Sequence, residues 1–93
     1  MVTSKRKGYN FEYRVKRYLE GLGWFVVRCA GSKPFDLIGF SPNGIIYLIE
    51  CKYAKYISKN QLFYQDAIYM RLREKFNVRY VVVNPKNFRE VLK

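Results

Sequence analysis

The 93-residue sequence contains no histidine and only two cysteines, Cys29 and Cys51. Structural zinc sites take four cysteine or histidine ligands, so these residues are too few to form one. No apolar run approaches the ~20 residues that a membrane-spanning helix requires. The beginning of the chain, MVTSKRKGYN, lacks the apolar stretch of a signal peptide. We therefore expect an intracellular, cytoplasmic protein, of either cellular or viral origin.

Acidic residues are also scarce, since seven aspartates and glutamates stand against eighteen lysines and arginines. The net charge of +11 is far more than solubility requires, and it is typical of a protein that binds a polyanion. The basic residues are spread along the chain and are not confined to one amphipathic helix, which favours nucleic acid over an anionic membrane. A purely structural or protein-interaction role leaves this charge unexplained.

What the chain does have is a high apolar content, with 49% hydrophobic and 18% aromatic residues, as in a packed globule. We expect one domain over residues 1–93 with a flexible basic arm at 1–7, because no repeat, linker or low-complexity segment divides the chain. The predicted elements are helix 9–21, strands 24–29, 35–40 and 44–52, helix 59–75, strand 78–84 and a closing helix after Pro85. The expected fold class is α/β: a small mixed β-sheet flanked by helices, in the order α-β-β-β-α-β-α.

The segment SPNG (41–44) predicts the turn between the second and third strands. Pro42 suits the second position of a type I turn, and Gly44 suits the left-handed residue that follows it in a three-residue hairpin loop. With that loop, Ser41 pairs with Ile45, and this pair sets the register of both strands.

Two acids, Asp36 and Glu50, lie in those strands, where a buried carboxylate is unfavourable unless something pairs with it. In the register of the three-residue loop they face each other directly, with Cβ atoms ~5 Å apart. Alternation along the strand also puts Lys52 on the same face as Glu50. A two-residue loop would instead place Asp36 opposite Ile49, so the facing acids depend on this turn.

Facing carboxylates repel each other unless a cation lies between them. Carboxylate oxygens, with a backbone carbonyl such as that of Cys51, are ligands that Mg²⁺ prefers and Mn²⁺ accepts. A metal held by Asp36 and Glu50 would polarise a phosphodiester, and Lys52 would orient the attacking water and stabilise the developing negative charge. The pattern therefore predicts metal-assisted phosphodiester hydrolysis. In the alternative interpretation, Glu50 and Lys52 form an ordinary surface ion pair and Asp36 satisfies a backbone N–H.

Three blocks, KGYNFE (7–12), LGWFVVRCAGSKPFDLIGF (22–40) and LIECK (48–52), resemble the archaeal-type Holliday junction resolvases of the PD-(D/E)XK nuclease superfamily. The resemblance runs from about Lys7 to Gln61; beyond Gln61 only the overall pattern matches, and the chain is short for the family. It implies a restriction-endonuclease-like core and a homodimeric, Mg²⁺-dependent endodeoxyribonuclease that cleaves four-way junctions in DNA recombination and repair.

The resemblance also implies the active-site residues, which occupy the matching motif positions: Glu12, Ser32, Asp36, Glu50 and Lys52. Glu12 is expected to bind the metal or a water, and Ser32, in the AGSKP loop, to act near the scissile phosphate. The alternatives are that Glu12 is a solvated helix acid and Ser32 an ordinary loop serine. Gln61, at the start of the second helix, is a further catalytic candidate for positioning a water or phosphate, and a neutral helix-start glutamine is equally compatible with its position.

Basic residues beside these positions are expected to contact DNA phosphates without reading bases, so that a branched substrate is recognised by shape. They are Lys5, Arg6, Lys7, Arg14, Arg28, Lys33, Lys55 and Lys59. A solvated charge is the alternative for each. Tyr53, Tyr56, Phe63 and Tyr69 are expected at a subunit interface. Two functional alternatives stay open: a related nuclease that acts on other DNA structures or ends, and a non-catalytic basic DNA-binding module.

Overall fold

A four-stranded mixed sheet with helices packed against it forms the computed structural model of the chain. The structure describes the backbone of residues 4–29, 31, 34–52 and 59–92, and the side chains of 10–29, 31, 34–52 and 63–92. The elements are α1 (Ser4–Gly21), β1 (Phe25–Arg28), β2 (Leu37–Phe40), β3 (Ile46–Cys51), α2 (Lys59–Leu72), β4 (Val78–Val83) and α3 (Phe88–Val91). The predicted order and fold class are confirmed.

The strands lie in sequence order, β1-β2-β3-β4. The first two pairs, β1 with β2 and β2 with β3, are antiparallel, whereas β3 and β4 are parallel. A parallel pair needs a crossover connection, and α2 lies within that connection. The sheet is therefore mixed because a tight turn joins β2 to β3 while a helix joins β3 to β4.

The loop between β2 and β3 has the three-residue geometry that the sequence predicts. The backbone N–H of Ser41 donates to the carbonyl of Ile45 at 2.9 Å, and Gly44 has a φ of 86°. The left-handed backbone at this position favours glycine because a side chain would crowd the following carbonyl. The ladder then continues to the pair of Leu37 and Ile49, which confirms the predicted register.

The main core lies between α1 and one face of the sheet. Phe11, Val15 and Leu19, which recur at a spacing of four residues on α1, are all buried. From α3, the ring of Phe88 packs edge-on against Phe11 and Tyr18, with centroids 5.6 Å and 5.4 Å apart. These contacts hold α1, and the residues it carries, firmly against the sheet.

The first helix begins earlier than the sequence pattern predicts. It starts at Ser4, so the backbone of residues 4–7, assigned to a flexible arm, is helical. Serine is tolerated at a helix start, and lysine and arginine are good helix formers, so this short basic segment extends the helix without an apolar stripe. Within the described ranges, no helix is long and apolar enough to span a membrane.

The second helix, α2, packs against β4. It ends at Leu72, three residues before the predicted end, and Tyr64 is 54% exposed. Among the α2 side chains that the structure describes, the one that is fully buried is Gln65. A polar residue therefore occupies the best-covered position of this helix.

Candidate active site

Asp36 and Glu50 occupy the open end of the β2–β3 hairpin. The paired register ends at Leu37 and Ile49, where the backbone N–H of Asp36 donates to the carbonyl of Ile49 at 3.2 Å, and the two acids are only 4% and 1% exposed. The backbone N–H of Cys51 donates to Oδ2 of Asp36 at 2.7 Å. Burial of Asp36 is thus offset in part by a charge-assisted hydrogen bond from the neighbouring strand.

The carboxylate of Glu50 is held through both of its oxygens. The Nζ atom of Lys52 lies 3.1 Å from Oε1, and Nε2 of Gln65 donates to Oε2 at 2.6 Å. Because Glu50 is buried, this Glu–Lys pair is not the exposed surface ion pair of the alternative interpretation. The contact also confirms that Lys52 lies on the same side of β3 as Glu50.

Glu12 is buried on α1, at 8% exposed, which rules out an ordinary solvated helix acid. The Nε atom of Arg28, from the end of β1, lies 3.4 Å from its Oε1 atom. The guanidinium of Arg28 also lies over the ring of Tyr13, 5.5 Å from the centroid. Arg28, which was expected to contact DNA phosphates, therefore lies beside the acidic residues of the site.

Three carboxylates influence one another at this site. Burial raises the pKa of Glu12, the charge of Asp36 raises it further, and Arg28 lowers it. Burial likewise raises the pKa of Glu50, Asp36 adds to the rise, and hydrogen bonds from Gln65 and Lys52 oppose it. Each shift reflects the energetic penalty of holding negative charge in a buried place next to another negative charge.

Within the ranges that the structure describes, no group of three or more histidine, cysteine, aspartate or glutamate side chains is arranged to hold a metal. The Glu50 oxygens contact Lys52 and Gln65 instead. The donor chemistry nevertheless fits a hard divalent cation, because Asp36 and Glu50 present carboxylate oxygens whose charges interact. The thiol of Cys51 does not add a soft ligand, since burial raises its pKa and keeps it protonated.

Several of the predicted site and interface residues lie outside the part of the chain that the structure describes, or have only their backbone described. Ser32, Lys33, Lys55, Tyr53 and Tyr56 are outside the described residues, and only the backbone is described for Lys5, Arg6, Lys7, Lys59 and Gln61, all of which are helical. Arg14 is exposed on α1, with its guanidinium 5.8 Å from the Phe88 ring centroid.

Gln65 is the residue at the site that the sequence analysis missed. It lies one helical turn after Gln61, the glutamine selected for its closeness to the start of the helix. The sequence feature that could have identified it is helical periodicity. Ile68, Tyr69 and Leu72 follow Gln65 by three, four and seven residues, so all four lie on one face of the helix. Those three side chains are half-buried, so the same face carries a glutamine at its most covered position.

Three comparisons relate the chain to known proteins. A family model described as archaeal Holliday junction resolvase (Hjc) matches residues 3–76, a range that includes every candidate catalytic residue. The crossover junction endodeoxyribonuclease Hjc of Methanocaldococcus jannaschii is 35% identical over 92 residues, covering 86% of this chain and 67% of that protein. A solved VRR_NUC domain, which has a restriction-endonuclease-like fold, superimposes with a TM-score of 0.65 at 25% identity, covering 92% of this chain and 94% of the other.

Proposed function

Because the chain belongs to the archaeal Holliday junction resolvase family, we propose that it is an endonuclease that cleaves four-way DNA junctions by hydrolysing phosphodiester bonds. The main observation behind this proposal is that two buried acids, Asp36 and Glu50, lie together with Lys52 at the open end of one hairpin. Carboxylates buried side by side destabilise a small domain, so their retention is best explained by chemistry. Such an activity serves DNA recombination and repair.

Nucleases of this family depend on a metal ion, and we propose Mg²⁺, with Mn²⁺ able to replace it. The residues that would hold it are Asp36, Glu50 and Glu12, together with the backbone carbonyl of Cys51. When bound, the ion supplies Lewis-acid polarisation of the scissile phosphate and lowers the pKa of water. The oxygen-only donor set and the mutual repulsion of the carboxylates both support a hard cation at this place.

The side chains around the acids have separate roles in this mechanism. Lys52, held 3.1 Å from Glu50, stabilises the negative charge that develops on the phosphate. Arg28 lowers the pKa of Glu12 against the rise caused by burial and by Asp36, and so favours the ionised form of that carboxylate. Ser32 is proposed to contact the scissile phosphate, and Gln61 to position a water or a phosphate oxygen.

The DNA is bound through its backbone. A net charge of +11 supports phosphate neutralisation and counterion release, which make affinity steeply dependent on salt. We assign these contacts to the basic residues of the first helix and to those flanking the site: Lys5, Arg6, Lys7, Arg14, Arg28, Lys33, Lys55 and Lys59. An intracellular, cytoplasmic location, where DNA is accessible, follows from this substrate.

Symmetric cleavage of a four-way junction needs two active sites, so we propose a two-fold homodimer. Exposed aromatic side chains, which are enriched at subunit interfaces, support this assembly. Phe25 is 68% exposed and lies beside Phe40 at the free edge of the sheet, with ring centroids 6.0 Å apart. Phe63, one of the predicted interface residues, is 79% exposed on α2, whereas Tyr69 is half-buried.

A second candidate keeps the chemistry and changes the substrate to DNA ends, flaps or duplex. The likeness to the VRR_NUC domain keeps this candidate open, because it shows a shared fold and specifies no substrate. The hydrolytic residues themselves do not require a branched substrate. Substrate choice therefore has to be measured.

The decisive experiment compares cleavage of matched junction, flap and linear DNA, each with and without Mg²⁺. We expect paired symmetric nicks on the junction, which disappear when Mg²⁺ is removed. Asp36→Ala should bind the junction at least as tightly as the parent and fail to cut it. Glu74→Ala, which removes an exposed acid and changes the net charge equally, is the matched control and should cut normally.

Three outcomes would contradict the proposal in different ways. Equal cleavage of flap or linear DNA would favour the second candidate. Binding without cleavage by the parent protein in Mg²⁺ or Mn²⁺ would favour a non-catalytic DNA-binding module. Normal cleavage by Asp36→Ala would show that the nuclease site lies elsewhere.

A further inference from the structure

Gln65 connects three parts of the structure from its buried position on α2. Its Nε2 atom donates to Oε2 of Glu50 at 2.6 Å and to the carbonyl of Pro34 at 3.3 Å. Its Oε1 atom accepts a hydrogen bond from the hydroxyl of Tyr80 on β4. One amide therefore joins the acid on β3, the segment that leads into Asp36, and the adjacent parallel strand.

These contacts allow the Gln65 amide only one orientation. The amide nitrogen has two hydrogens, and both Glu50 and Pro34 offer acceptors, whereas the amide oxygen faces a hydroxyl donor. A flipped amide would turn its oxygen towards a carboxylate and a carbonyl, which repel it. Tyr80 stays protonated as the donor, because burial and the charge of Glu50 raise its pKa to about 12.

The ring of Tyr80 is fixed in turn by aromatic packing. It contacts Phe35 with centroids 5.5 Å apart and Tyr69 with centroids 6.2 Å apart. The hydroxyl is thus presented to Gln65 from a side chain with little freedom to rotate. A rigid donor orients the amide, and the oriented amide then constrains the carboxylate.

We propose that Gln65 and Tyr80 are positioning residues, which together hold the Glu50 carboxylate in the orientation that binds the divalent cation. This inference rests on the proposed function, since it concerns how the same site takes up its metal. Lys52 holds the other oxygen of Glu50, so the hydrogen bond from Gln65 opposes rotation of the carboxylate towards the lysine. Groups that hydrogen-bond a metal-binding side chain commonly tune metal affinity in this way.

The first test measures cation binding directly and without turnover. The electron paramagnetic resonance signal of free Mn²⁺, followed during titration with protein, gives its dissociation constant. Gln65→Met keeps the length of the side chain and removes all three hydrogen bonds, and we expect the constant to rise about tenfold. Affinity for junction DNA in metal-free buffer should not change, because Gln65 is buried away from the phosphate contacts.

The second test asks whether Tyr80 acts on Glu50 through Gln65, an arrangement that we call the relay, or independently of it. Tyr80→Phe removes one oxygen, keeps the packed ring, and should weaken Mn²⁺ binding by about threefold. In the Gln65→Met background the same change should have no further effect on Mn²⁺ affinity, because the amide through which it acts is absent. Tyr69→Phe is the matched control: its ring packs on Tyr80, its hydroxyl lies outside the relay, and Mn²⁺ binding should equal that of the parent.

Glu50→Ala separates failure of this inference from failure of the proposed metal site. If Glu50→Ala binds Mn²⁺ as the parent does, the proposed metal site is wrong. If Glu50→Ala loses binding while Gln65→Met or Tyr80→Phe keeps the parent's affinity, the positioning role is overturned. Melting curves recorded without metal show whether Gln65→Met is folded. If it is misfolded, the test rests on Tyr80→Phe, and an unchanged Mn²⁺ affinity of that variant is sufficient to overturn the inference.

Discussion

The two ends of the β2–β3 hairpin satisfy their polar groups in opposite ways. At the closed end, Ser41 and Ile45 bond to each other across four residues, beside solvent-exposed Asn43 and Gly44. At the open end, the acids are buried, and the partners of Glu50 include a residue from a separate helix as well as its neighbour Lys52. The helix residue, Gln65, is 15 residues away from Glu50.

The closed end of the hairpin therefore contributes mainly to folding, whereas the open end is suited to catalysis. The closed end needs only its own residues, so it sets the register without help from the rest of the domain. The open end places charge where it is unfavourable and depends on α1, α2 and β4 to hold it. Such a region lowers stability for the sake of a reactive arrangement, as is common at functional sites.

The largest expected effect comes from the lysine at the open end. Lys52→Met should lower the single-turnover rate of junction cleavage by about 10²–10³-fold, because it removes a charge that stabilises the transition state. The rate is measured with saturating protein and Mg²⁺, and junction binding is measured separately.

Lys16→Met is the matched control, because Lys16 and Glu20 form an ion pair with the same 3.1 Å separation on the exposed surface of α1. This variant should cut at the parent's rate and lose at most ~0.5 kcal/mol of stability. Equal cleavage by Lys52→Met and the parent would remove Lys52 from the proposed mechanism.

The next effect tests the closed end. Gly44→Ala should lower the free energy of unfolding by about 1–2 kcal/mol, because alanine is strained in left-handed backbone. Urea denaturation measures the loss. Gly21→Ala is the control, since an added Cβ meets nothing within 4 Å at either glycine and only Gly44 has a positive φ.

Cleavage adds a second readout to the Gly44 comparison. Both glycine variants should retain junction cleavage well below their melting temperatures, because core packing still holds the strands in register. A Gly44→Ala protein of normal stability would show that the turn does not set the register. A stable Gly44→Ala protein that fails to cut would show that the register had shifted.

The smallest expected effect concerns stability against pH in the metal-free protein. The folded-state pKa values of Glu12 and Glu50 are raised, so the folded protein binds more protons than the unfolded chain between the ordinary and the raised pKa. The contribution of Glu12 and Glu50 to stability is therefore greatest below the ordinary glutamate pKa and falls as the pH rises through the raised values. Asp36→Asn should make this fall shallower.

The effect of Asp36→Asn is partial because burial, the larger cause of both shifts, remains. Urea denaturation at a series of pH values in a chelating buffer measures the slope. Glu74→Gln, at an exposed position, should keep the slope of the parent. An Asp36→Asn slope as steep as the parent's would show that the acids do not interact.

The placement of the acids was predictable, while their surroundings were not. Turn chemistry at Gly44 sets the register, and strand periodicity then brings Asp36 and Glu50 to the same place. Periodicity puts Gln65 on the more covered face of α2, but it does not predict the contact with Glu50, because a polar residue on a helix is usually exposed and position alone favours Gln61.

The sequence by itself determined the order of the elements, the hairpin register and the placement of Asp36 and Glu50 at the open end of the hairpin, because turns and periodicity act over a few neighbouring residues. Only the tertiary structure decided that Arg28 lies against Glu12 and that Gln65 bonds to Glu50. The physical reason is that a buried carboxylate has to be paired by whatever groups the fold brings to it. Those groups come from separate helices and strands, so they are defined only once the elements are packed together.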